Sequence, residues 1–85
     1  VTVNFGAGPA ESDTATVTVS DATVTSSTRV VATVAIEDTA DHTADEVAAL
    51  GILLGVTISA GVGFTITARA PDGATGAINL HYLRL

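Results

Sequence analysis

The 85-residue chain has no cysteine, methionine, tryptophan or lysine. Without cysteine it has neither disulfides nor thiolate metal sites, and its redox compartment is left undetermined. Its only cations apart from histidine are Arg29, Arg69 and Arg84, and they are isolated. Neutralising nucleic-acid phosphates takes clustered Lys and Arg, so nucleic-acid binding is excluded as a main role. An anionic membrane surface is disfavoured on the same ground. The aromatic residues are Phe5, Phe64 and Tyr82, too few for the exposed stacking platform common in sugar-binding proteins. The longest apolar stretch, Val47 to Val56, is too short to span a bilayer. Val1 to Phe5 has neither the basic start nor the apolar run of a signal peptide.

What is present is acidic and β-prone. Nine acids against three arginines give a net charge of −6, which favours solubility. A mass of 8.4 kDa suits a single β domain over residues 1–85. Surface scaling predicts a folded area of roughly 4,600 Å² with about 62% of the unfolded surface buried, enough for one modest core. Domains this small often need a staple. With disulfides excluded, the remaining candidates are oligomerisation and an oxygen-ligated ion.

Fourteen Thr, eleven Val and fifteen Ala make up nearly half the chain, and the β-branched residues among them prefer pleated surfaces. Thr14 to Val19 alternates strictly, with Ala15, Val17 and Val19 on one face, which reads as a half-buried strand. In Arg29 to Glu37, Val30, Ala32, Val34 and Ile36 share one face and Val31, Thr33 and Ala35 the other. Two apolar faces suggest a central strand, or one covered by a neighbouring subunit. Leu54, Val56 and Ile58 alternate inward, Ala60 to Gly63 turns, and Phe64, Ile66 and Ala68 alternate back, which is a hairpin pattern. Pro71-Asp-Gly73 reads as a second turn. A last strand follows from about Gly76 to Arg84, with Ile78, Leu80 and Tyr82 on one face, and Val1 to Phe5 supplies another. The expected fold is all-β: a small antiparallel sandwich or barrel of about six to eight strands.

One segment breaks the β pattern. Thr43-Ala-Asp-Glu46 has the form of a capping box, with Thr43 as N-cap and Glu46 reaching back, so one short helical turn is expected before Gly51. The surrounding stretch, Glu37 to Glu46, holds five of the nine acids and His42. Asp38, Asp41, Asp45 and Glu46 are therefore the candidates for a Ca²⁺ site, since that ion takes six to eight oxygens. Their spacing is not that of an EF-hand, and a solvated or interface loop is the simpler reading. Zn²⁺ fits less well, because His42 has no second His or Cys near it in sequence.

Catalysis finds little support. Asp41 with His42 is at most half of a triad, no Ser lies in a nucleophile elbow, and a paired-carboxylate cleft needs more chain than this. His81 reads as structural. Gly6, Gly8, Gly61 and Gly63 read as turn residues, since no Lys follows at phosphate-loop spacing. The chain is expected not to be an enzyme and to carry no cofactor. Glycan binding through Thr- and Asp-bearing loops is the weaker alternative.

Several pieces in order carry a resemblance over nearly the whole chain: Val3 to Pro9, Thr14 to Val19, Ala40-Asp-His-Thr-Ala-Asp-Glu46, Ala60-Gly-Val-Gly-Phe-Thr-Ile66 and a closing strand from Gly76 to Tyr82. In these the chain resembles small virion structural proteins of tailed bacteriophages. The resemblance implies a place on the virion and no catalytic residue set. It implies either a capsid decoration (cement) protein on the head surface or a tail or head fibre domain that binds a host receptor or surface glycan. The expected partners are copies of itself, as a trimer or other oligomer, and the major capsid protein. The start at Val1 instead of Met fits either removal of an initiator, which goes with decoration, or a piece of a longer fibre. The apolar faces of Arg29–Glu37 and Gly76–Leu85 are expected to be covered by neighbours.

Overall fold

A computed structural model describes residues 1–6, 12–39 and 41–85. Gly8, part of the Val3–Pro9 stretch, and Ala40 lie outside the described residues. Six strands and one short helix follow in the order β1 (Thr2–Asn4), β2 (Ser12–Ser20), β3 (Val30–Val34), α1 (Ala44–Ala49), β4 (Leu53–Ser59), β5 (Gly63–Ala74) and β6 (Ala77–Arg84). They form two antiparallel three-stranded sheets, ordered β1-β6-β3 and β2-β5-β4. The protein is thus the small all-β domain expected from its alternation. No helix among the described residues is long and apolar enough to cross a membrane.

The core follows from strand position. β5 and β6 are the central strands, and their inward residues Phe64, Ile66, Ala68, Ile78 and Leu80 are buried. Val3, Phe5, Ala15, Val24 and Val47 close around them. On the edge strands the inward residues Val17, Val19, Val30, Ala32, Val34, Leu54, Val56 and Ile58 are only partly buried against that cluster. An edge strand has a neighbour on one side only, so its inner face is covered less completely.

The β4–β5 hairpin forms where expected, closed by the Val62 N–H donating to the Ser59 carbonyl at 3.0 Å. Gly6, Gly61 and Gly63 all take positive φ, as turn residues do. At Gly63 the requirement is also steric, because a Cβ there would meet the Val19 carbonyl oxygen at 2.0 Å. Only glycine lets the start of β5 pass that close to the end of β2.

Three expectations are corrected. Pro71-Asp-Gly73 is not a turn between strands but part of β5. The β2–β5 register jumps from Thr14↔Arg69 to Ser12↔Ala74, so four residues of β5 face Asp13 alone. Proline has no N–H to give to a ladder, and a bulge is where a strand tolerates it. The reversal comes later, at Thr75-Gly76, where Gly76 has φ +78°. Second, the Arg29–Glu37 segment is not a central strand. β3 is an edge strand that pairs only with β6. Third, Ile36 does not continue the inner face of Val30, Ala32 and Val34. The Glu37 N–H turns back to the Ala35 carbonyl at 3.0 Å, and Ile36 is left exposed.

Candidate functional site

The acidic segment is the densest chemistry in the chain, and main-chain groups engage most of its side chains. Thr39 Oγ1 donates to the Ala77 carbonyl at 3.1 Å and accepts from the N–H groups of Asp41 and His42. Asp38 Oδ1 accepts from the Ala44 N–H at 2.7 Å, at the start of α1. Asp41 Oδ2 accepts from the Ala77 N–H at 2.8 Å. Its side chain packs so close to Gly76 that a Cβ there would lie 2.6 Å from Asp41 Cβ. Glu37 Oε1 accepts from Asn79 Nδ2 at 2.9 Å. The segment is therefore tied to the β5–β6 turn and the start of β6, far along the chain.

The capping box is formed as its spacing predicts. Thr43 Oγ1 accepts from the Glu46 N–H at 3.3 Å, and the Glu46 carboxylate accepts from the Thr43 N–H at 3.4 Å. Glu46 also faces His42 Nδ1 at 3.4 Å, while His42 Nε2 donates to the Thr75 carbonyl. With an acceptor at each ring nitrogen, His42 favours its charged form. Its pKa is raised above the ordinary 6.5, chiefly by the Thr75 carbonyl against some cost of burial. Glu46 is held below the usual 4.5 by the Thr43 N–H first and by His42 second.

Of the four Ca²⁺ candidates, Asp38, Asp41 and Glu46 line one shallow depression with Thr39, His42 and Thr43, whereas Asp45 does not. Each of the three has a carboxylate oxygen committed to a backbone N–H. Among the described residues no three acidic or imidazole side chains converge in a way that could hold a metal ion. Asp41 and His42 are likewise not joined as a dyad, because the carboxylate turns to Ala77 and the ring to Thr75 and Glu46. His81 lies exposed on the outer face of β6, opposite Thr33 of β3.

A second feature lies on the β3–β6 face. The Arg29 and Leu85 backbones exchange hydrogen bonds, and the Ala35 N–H donates to the Asn79 carbonyl at 2.9 Å. Between these ends Val31 stands directly opposite Leu83. Val31, Leu83 and Leu85 point outward and are 52%, 60% and 67% exposed, and Ile36, past the strand end, is 56% exposed. Sequence alternation foretold that Val31 would face away from Val30 and Ala32, but not that β3 and β6 would pair at this register. Tyr82, 40% exposed, sets its ring edge-on to Phe64, with centroids 5.2 Å apart and planes at 72°. Nearby Arg84, whose partners nothing in the sequence marked, pairs with Asp21 at 3.2 Å and donates to the Thr23 carbonyl.

Comparison with protein-family models, with curated proteins and with solved structures gives no match.

Proposed function

We propose that the chain is a virion structural protein of a tailed bacteriophage, a decoration protein on the head surface that adds contacts between capsid subunits. The observation that carries this reading is the outward apolar stripe of Val31, Leu83 and Leu85 on paired strands of a small acidic domain. Apolar side chains grouped on a pleated face suit burial against another subunit. The order of motifs along the chain supports the virion setting. The acidic segment is a structural clamp under this reading, tying the loop before β4 to the β5–β6 turn.

The partners proposed are the major capsid protein and further copies of the chain. Quantitative mass spectrometry of purified virions tests the reading. Decoration predicts a copy number comparable to that of the major capsid protein, and capsids that disassemble more readily without it. A handful of copies confined to the tail overturns decoration and assigns the chain to a fibre instead.

A further inference from the structure

The β3 edge carries an inference that does not depend on the virion reading. Residues 29 and 35 direct their backbone groups to β6. In an antiparallel ladder this direction alternates, so Val31 and Thr33 also face β6 while Val30, Ala32 and Val34 face away. Among the described residues no backbone group pairs with these three on the far side. β4 of the other sheet comes close to β3 but makes no ladder with it, so three N–H donors and three carbonyl acceptors of β3 have no backbone partner among the described residues.

Among the described edge strands, β3 is the one flanked by charges of opposite sign. β1 has three residues, β2 carries Asp13 and a register break near its start, and β4 carries Gly55. β3 is Val-Val-Ala-Thr-Val, with no proline, glycine or charge within it. Charges of opposite sign stand just beyond its two ends: Arg29 before it and Glu37 after it, both exposed. The Glu37 carboxylate is held on Asn79 of β6, and among the described residues no carboxylate pairs with Arg29.

We infer that a second copy of this chain pairs antiparallel along β3, joining the two β1-β6-β3 sheets into one of six strands. A twofold axis at Thr33 sets Ala32 opposite Val34 of the other copy, so the outward-facing backbone groups of these two residues meet in register. The same axis brings Arg29 of each copy toward Glu37 of the other, twice per dimer. A parallel arrangement would set like charges together, so the charge pattern itself selects the twofold pairing.

Sedimentation equilibrium of the whole chain over a concentration series tests this, with circular dichroism to confirm folding. The expected species has twice the 8.4 kDa mass of one chain. Arg29→Glu, which sets acid against acid at both ends, is expected to weaken association about tenfold or more. Adding Glu37→Arg to it restores the opposite-charge pairing and the dimer. Ala32→Pro, which removes a donor from the free edge and none from the β6 ladder, is expected to leave a folded monomer. The charge swap decides the matter if the proline variant does not fold. A chain monomeric at all concentrations, a trimer, or a dimer indifferent to Arg29→Glu overturns the proposal.

Discussion

At the scale of single residues, two glycines make opposite predictions. Gly63→Ala drives a Cβ into the Val19 carbonyl at a positive φ, and no flexible side-chain end is there to move aside. We expect it to cost at least ~2 kcal/mol. Gly55 sits in open space with an ordinary strand φ, so Gly55→Ala is expected to fall within about 1 kcal/mol of wild type, on the stabilising side. Urea denaturation of both variants checks the contrast. His42 supplies a pH dependence. Its raised pKa means that the folded state binds the proton more tightly than the unfolded chain does. The stability this contributes is full below pH 6.5 and is lost as pH rises through the folded value above it. Glu46, with a lowered pKa, contributes fully above pH 4.5 and loses its share as pH falls through its folded value. The pair is thus strongest between these limits. His42→Gln is expected to abolish the loss on the alkaline side, read from denaturation midpoints across pH. An unchanged profile there would contradict the His42–Thr75 link.

At the scale of elements, α1 depends on its cap. Six residues are too few to hold a helix by propensity, so the Thr43–Glu46 box and the burial of Val47 must hold it. Thr43→Ala is expected to cost about 1 kcal/mol, a fall of roughly 4–8 °C in Tm for a domain this size. The cap was legible in the sequence because it is local: its two partners stand three residues apart and act on each other. The alternation of Ala15, Val17 and Val19 was legible for a similar reason, since a period of two is a property of one strand. Pro71-Asp-Gly73 misled because a turn tripeptide and a bulge draw on the same residues. Only the register of β2 against β5 distinguishes them, and that register is set by residues more than fifty positions away. The edge position of β3 was hidden likewise, since strand order is a long-range property. The ties of Asp41 to Ala77 and His42 to Thr75 also span more than thirty residues and leave no local signature.

At the scale of the whole molecule, the protein has two sheets joined over a core concentrated on β5 and β6, with thinner cover toward β3 and β4. Its accessible surface, 4883 Å², exceeds the ~4,600 Å² expected of a monomer of its mass. Its radius of gyration, 13.2 Å, exceeds the ~12 Å expected for its length. Both lie close to the monomer scaling, and the outward stripe on β3 and β6 is part of the exposed surface. The central claim is that a further copy completes the β3 edge, and amide hydrogen exchange read residue by residue tests it most directly. Val31 and Thr33 donate within the chain, so their amides are expected to be protected equally in wild type and in Arg29→Glu. The amides of Ala32 and Val34 are expected to exchange about tenfold more slowly in wild type, equivalent to about 1.4 kcal/mol of added protection. Equal rates in the two proteins at both positions would contradict the account.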